Sequence, residues 1–261
     1  SRKIHGYSGT GTATCRPYRA LANQPLVMSV SDLSFFLSST HECSYLPAQE
    51  AASLVADPTI KLETENYSEL IQFGFRRSGG IAYRPHCENC QACIPIRIPV
   101  FDFQPSRGQR RILKKNSDLT AASLPFDFHE EHYQLYRRYQ SARHSGGSMD
   151  IDDREKYMNF FSASGLESRL LEFRLQETLL CVAVIDWLPA GLSSMYTFFD
   201  PDYNSRGLGV FAILWQIKKA YEIGLSHVYL GYWIKDCDKM SYKTRYRPYE
   251  LYQQQQWQLI R

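Results

Sequence analysis

Cys87, Cys90 and Cys93 fall at three-residue steps inside FGFRRSGGIAYRPHCENCQACIPIRIPV, in a polar turn preceded by a proline. Thiolates at this spacing can converge on one zinc ion or one iron–sulfur cluster, because a tight turn brings alternate sulfurs within bonding range. A tetrahedral site needs a fourth ligand. Cys43 in HECSYLP is the first choice and His86 the second. The competing reading is three reduced thiols that only pack a small core. Arg76 and Arg77 lie just upstream, and the cysteine cluster is expected to be structural or redox-sensing and to hold them in place.

A second set of residues suits an anionic polymer. In PSRGQRRILKKNSD, Arg107, Arg110, Arg111, Lys114 and Lys115 stand at i, i+3, i+4, i+7 and i+8. On a helix they form one stripe, with Ile112 and Leu113 turned toward the body. No acid interrupts the stripe, so the charges repel one another unless an anion lies against them, and a polyphosphate backbone is the natural counterpart. Near the end, YWIKDCDKMSYKTRYRPYELY interleaves Lys239, Lys243, Arg245 and Arg247 with Tyr242, Tyr246 and Tyr249. That alternation fits an RNA end whose bases stack on rings, and equally fits an ordinary strand.

The elements that must position these residues can be read coarsely. The chain has 261 residues, 44% hydrophobic and 22% charged, which is room for one large domain or two with a real core. Net charge is only +3, so nucleic-acid affinity must come from local patches. Seven cysteines make an odd count, which favours thiols or metal in a reducing cytoplasm over disulfides. There is no apolar run of membrane-spanning length and no signal peptide at the start, so no membrane partner is expected.

The first 27 residues lack a sustained apolar period and read as a leader or expression remnant. After Met28, Ser31 or Asp32 reads as a helix start before Phe35 and Phe36. Pro47 to Ala56 reads as a helix, 68–76 as helix then turn, and IAYRP and CIPIRIPVF as strands on either side of the cysteines. Helices are expected at 128–142, 153–163 and 207–223, with strands at 170–175, 179–187, 193–199 and 227–233. The pattern is α+β, a smaller cysteine-bearing part at 28–120 followed by a second part at 121–261. Gly207 and Gly209 open the helix at 207, where backbone amides can approach an anion. Arg206 and Gly209 match part of the coenzyme A pyrophosphate signature, and Phe211 departs from it.

FRRSG, the cysteine cluster followed by PIRIPV, ARHSGGSM, YTFFDP, YLGYWI and KMSYK together resemble the aminoacyl-tRNA–protein transferases, from about Cys43 to Pro248. The resemblance is nearest to the compact bacterial branch, the aspartate/glutamate leucyltransferases. Cys43-Ser-Tyr-Leu46 carries one cysteine where the eukaryotic arginyl enzymes carry two, so their metal chemistry does not transfer wholesale. The resemblance implies a GNAT-like C-terminal domain and a smaller N-terminal domain bearing the cysteines. The implied reaction moves leucine from Leu-tRNA to the α-amine of proteins that begin with Asp or Glu, which marks them for N-degron degradation. No cofactor is required for that chemistry.

On that reading Arg76 and Arg77 are the candidate readers of the acidic side chain, because guanidinium matches carboxylate bidentately. Tyr196, Thr197 and Tyr242 are candidates to stabilise the oxyanion, and His144 and Asp200 to take the proton. Arg107, Arg110, Arg111, Lys114, Lys115, Lys239, Lys243 and Arg245 are the candidate tRNA contacts, and Cys43, Cys87, Cys90 and Cys93 the candidate metal ligands. Phe198, Phe199, Tyr229 and Trp233 could line a leucine pocket or simply build core. Three alternatives stand beside this: arginyl transfer to the same targets, a coenzyme A-dependent N-acetyltransferase, and a non-catalytic metal-bearing RNA-binding module.

Overall fold

The computed structural model describes residues 33–143 and 152–261. The proposed leader and His144 lie outside the described residues. Fourteen strands and five α-helices follow one another along the described chain. The first stretch holds β1 (Phe35–Leu37), β2 (His41–Glu42), β3 (Glu50–Ala51), β4 (Ser53–Ala56), α1 (Thr64–Leu70), β5 (Arg76–Ser78), β6 (Ile81–Pro85) and β7 (Ile94–Pro99). Then come α2 (Arg107–Lys115), β8 (Thr120–Pro125), α3 (Glu130–Arg143), α4 (Arg154–Phe161), β9 (Ser168–Leu175), β10 (Thr178–Leu188) and β11 (Gly191–Phe199). The chain closes with α5 (Leu208–Glu222), β12 (His227–Trp233), β13 (Tyr249–Gln253) and β14 (Gln256–Ile260).

The later elements lie close to where periodicity puts them. Two early expectations fail. The 47–56 segment is not a helix: it forms β3 and β4, and β4 pairs with β1 on one side and β6 on the other. Its alanines offered helix propensity, but pairing within the four-stranded sheet β1-β4-β6-β5 overrides a weak local preference. Phe35 and Phe36 likewise sit on β1 rather than opening a helix.

An eight-stranded sheet of order β14-β13-β7-β12-β11-β10-β9-β8 dominates the molecule. It takes β7 and β8 along with the strands that follow residue 125. The arrangement is mixed α+β. On β10, TLLCVAVIDWL is apolar almost without alternation, as a strand covered on both faces must be. Cys181, Ala183 and Ile185 join the core under α5, with Leu208, Phe211 and Ile217. Val182 and Val184 join the opposite core with Tyr136 of α3 and Phe161 of α4. A third cluster, including Tyr67, Leu70 and Phe75, packs α1 and the small sheet against Leu188 and Tyr229 of the large one. No helix among the described residues is long and apolar enough to cross a membrane.

Candidate active site

The middle of the large sheet carries a parallel pair, β11 with β12, and the pairing is short. Only Leu192↔Val228 and Ser193↔Tyr229 are in register before the strands part. Each strand is distorted at the parting. On β11, Val184↔Tyr196 is followed by Ile185↔Ser194, so Met195 is an extra residue in the ladder with β10. On β12, Tyr229↔Arg97 is followed by Tyr232↔Pro95, so one extra residue lies between them. Bulges re-aim backbone groups out of a ladder and are common beside active sites. Here two of them flank the same opening.

Arg76 fills the floor of that opening. Its Nη2 donates to the carbonyl of Met195 at 2.9 Å. Its guanidinium lies against Gly231, where a Cβ would come within 2.2 Å of Nη1. Gly231 also has φ of +77°, so both the bulge and the close approach require glycine there. Four phenols face Arg76, those of Tyr83, Tyr67, Tyr232 and Tyr45, and the amine of Lys243 faces it too. Among the described residues no carboxylate forms an ion pair with it. A half-buried guanidinium without an acid partner is set to receive one. Arg76 also lines a small recess with Phe75, Pro95, Ile96, Tyr229 and Trp257. The Arg97 guanidinium, paired with Glu250, stacks 4.2 Å over Trp257 and fixes that wall.

Arg77 is not a second reader. Its side chain is fully buried, with Nε donating to Asp186 Oδ2 at 2.8 Å and Nη2 to Oδ1 at 2.6 Å. The remaining donors go to the carbonyls of Gly79 and Phe161 and to Ser168 Oγ. All five are spent inside the fold, so Arg77 ties β5 to β10 and thereby sets where Arg76 points. Adjacent residues on a strand face opposite ways, which separates the two arginines into one for structure and one for the opening.

Other expectations divide the same way. Asp200 is nearly buried, pairs with Arg138 at 2.8 Å and caps the 3-10 turn at Pro201–Arg206 through the amide of Asp202. It serves as a cap and an ion-pair partner, not as a free base. Tyr196 receives a hydrogen bond from Gln140 at 2.9 Å, and burial pushes its hydroxyl well above the ordinary tyrosine range. Tyr242 faces both Tyr196 and Arg76, so those three come together. Thr197 lies on β11 beyond the parting, opposite Ala183. Phe198 is core and Tyr229 nearly so, which leaves neither as an open leucine pocket.

The basic stripe forms as expected. Ser106 and Gln109 close a reciprocal capping box at the start of α2, and Arg107, Arg110, Arg111, Lys114 and Lys115 are all exposed. None of the five pairs with a carboxylate among the described residues. Gln109 is buried and donates to the carbonyl of Arg245 at 3.1 Å, which joins the stripe to exposed Arg245. Lys239 is also exposed. Lys243 is not: it is 4% exposed and cannot touch a phosphate backbone. The glycine cradle at the start of α5 is filled by α2 itself. Ile112 packs on Gly207, Asn116 donates to the carbonyl of Arg206 at 2.9 Å, and Arg206 pairs bidentately with Asp118. No diphosphate fits there without displacing α2.

The cysteines converge without assembling a ligand set. The Cys93 thiol is pushed up to about 12, by burial first and then by Cys43, Cys87, Cys90 and Cys237 beside it. Cys87 is turned toward the carbonyl of Ala52, and Cys43 accepts from the amide of Leu46. Among the described residues no three His, Cys, Asp or Glu side chains are arranged to hold a metal ion. The residues as placed do not fit a metal centre, and no chemistry is routed through one. The cysteine turn does hold Tyr45, which faces Cys93, Cys237 and Arg76. Sequence reasoning missed the two bulges and the phenol ring around Arg76. A glycine inside the aromatic run YLGYW was the available signal.

Comparison with known proteins places the chain in a family. The profile of the arginine-tRNA-protein transferase C terminus matches residues 131–253, and that of the N terminus matches residues 41–111. An aspartate/glutamate leucyltransferase of Pseudomonas fluorescens is 50% identical over 87% of this chain and 97% of its own. Those of Chromobacterium violaceum and Pseudomonas aeruginosa are 47% and 50% identical over 88% and 86% of this chain, and 96% of each relative. Among solved structures, FemX aligns over 80% of this chain and 82% of its own at 10% identity and TM-score 0.44. The L-PGS of Bacillus licheniformis aligns over 65% and 59% at 12% identity and TM-score 0.44. The chain therefore belongs to the arginine-tRNA-protein transferase family, and within it to the aminoacyltransferases named aspartate/glutamate leucyltransferase.

Proposed function

We propose that this chain transfers leucine from Leu-tRNA to the α-amine of proteins whose first residue is Asp or Glu, and so commits them to N-degron degradation in the cytoplasm. The observation that carries the acidic specificity is Arg76, an acid-free guanidinium held between two facing bulges. A carboxylate entering there gains a charge-assisted pair in a site shielded from water. The aminoacyl ester is already activated, so the enzyme must orient the amine, remove its proton and stabilise the oxyanion. Where β11 and β12 part, backbone amides are released from the ladder and are available as oxyanion donors. The exposed stripe on α2, joined to Arg245, takes the tRNA backbone.

A parallel strand–helix–strand unit that opens after two residue pairs supports a GNAT-like reading of the catalytic part. The coenzyme A reading loses its cradle to α2, and the non-catalytic RNA-binding reading leaves the Arg76 opening without a role. Leucine over arginine rests on the branch of the family. Arginine would need a buried carboxylate in its pocket, whereas leucine would need an apolar one.

The test is transfer of labelled leucine, and separately arginine, from charged tRNA to peptides that begin with Asp, Glu, Lys or Ala. Leucine on Asp and Glu peptides alone is the expected result. Arginine in its place would overturn the aminoacyl assignment, and no transfer of either would overturn the reaction.

A further inference from the structure

Lys243 is left without a role once its burial removes it from the tRNA surface. Its Nζ donates to the carbonyl of Tyr232 at 2.6 Å, and among the described residues no carboxylate pairs with it. Tyr232 follows Gly231, against which Arg76 lies. Two cations thus rest on consecutive residues of one bulge, which is costly for both unless one is neutral. The charged or titratable groups facing Lys243 are Arg76 from β5, Cys93 from the turn before β7 and Cys237 from the loop after β12. The ring of Tyr242, on its own segment, lies 5.9 Å away.

Burial, and then the charge of Arg76, hold the Lys243 amine well below the ordinary lysine range, with the two thiols pulling weakly the other way. Its neighbours move in the opposite direction. Burial raises Tyr232 and Tyr242, so these keep their protons at neutral pH. A neutral Lys243 keeps one N–H on the Tyr232 carbonyl and has its lone pair free.

Position matters as much as protonation. In an N-terminal Asp, three covalent bonds separate the α-nitrogen from the side-chain carboxyl carbon, a reach of at most ~4 Å. A group that deprotonates the amine must therefore stand beside the group that reads the carboxylate. We propose that Lys243 accepts the proton from the α-ammonium of the substrate while Arg76 holds its acidic side chain. This rests on the transfer reaction proposed above. The proton passes from the α-ammonium to Nζ, and the freed nitrogen lone pair forms the C–N bond to the ester carbonyl carbon. The C–O bond to the tRNA 3′ oxygen then breaks, and that oxygen takes the second proton of the attacking nitrogen. Lys243 afterwards releases its proton to solvent.

The test is single-turnover leucine transfer from Leu-tRNA to an Asp peptide by the wild type, Lys243→Met and Lys243→Arg, across about pH 6–10. General-base loss predicts a fall of about 100-fold at neutral pH in both variants. The deficit should shrink about tenfold per pH unit until the α-amine ionises by itself near pH 8. Peptide affinity should be unchanged. Arginine can keep the hydrogen bond to Tyr232 but carries a permanent charge and cannot accept the proton, so it should rescue nothing. A loss equal at every pH, a wild-type rate in either variant, or full rescue by arginine would overturn the inference while transfer by the wild type stands. No transfer by the wild type at any pH would overturn the reaction itself, and this inference with it. Should neither variant fold, titration of the Lys243 Nζ by nitrogen-15 NMR in the wild type decides: an ordinary value of about 10.4 would overturn it.

Discussion

At the scale of the residue, two adjacent arginines divide a task that sequence assigned to both. FRRSG carries no sign of which arginine faces inward. The answer depends on Asp186, over a hundred residues away, meeting Arg77 bidentately. Arg77→Ala would leave Asp186 buried and unpaired, and should cost about 3–5 kcal/mol of stability in urea unfolding. A loss under about 1 kcal/mol would mean that the pair is not as buried as the structure has it. Gly231→Ala tests the opposing side. The new Cβ would fall 2.2 Å from Nη1 of Arg76 at a backbone φ of +77°. The guanidinium must move, so transfer to Asp peptides should fall about 10–100-fold, the effect of one to three kcal/mol at a binding group, with the protein still folded by circular dichroism. Unchanged transfer would separate Arg76 from the reaction.

At the scale of the element, the sequence was most legible where periodicity is strong. The stripe of α2, the strand β10 and the length of α5 follow from residue type and spacing alone. The segment around β3 and β4 was not legible, because four-residue strands leave no period to count and alanine favours helix. Lys243 was misread because a charged residue in a polar segment reads as surface, and only tertiary packing buries it; Asp200 was named as a proton acceptor because nothing in YTFFDP announces its partner Arg138. The α2 stripe carries its own prediction. Arg110→Ala, Arg111→Ala and Lys114→Ala together should weaken Leu-tRNA binding and reduce its log–log salt slope by up to about 3, roughly 0.7–0.9 for each phosphate no longer neutralised. The KM for the peptide should not change. An unaltered salt slope would move the tRNA to another face.

At the scale of the whole molecule, α3 is tied to the sheet by a buried polar group. His132 meets Glu172 on β9, and Arg174 meets both Glu172 and Glu131. Burial holds His132 below its ordinary value. Burial opposes the Glu172 carboxylate, but hydrogen bonds from Arg174 and His132 outweigh it and hold that group low as well. Both shifts are depressions, so both stabilise the fold above the unfolded values, about 6.5 for histidine and 4.3 for glutamate. The contribution of these two groups should be level above about pH 7 and fall as acid passes first through the histidine range and then through the folded glutamate value. His132→Gln should remove the upper part of that decline in urea titrations. A decline unchanged in this variant would assign it to other groups.

The central claim is that the opening between β11 and β12, floored by Arg76, reads the acidic first residue. Its most direct measurement is the ratio of leucine transfer to Asp-initiated over Asn-initiated peptides, in the wild type and in Arg76→Gln. The wild type should favour Asp by about 100-fold, the worth of a charge-assisted bidentate pair. In Arg76→Gln that ratio should collapse to near unity while Leu-tRNA binding is retained. A ratio that survives the substitution would contradict the account, because the acid would then be read by some other group.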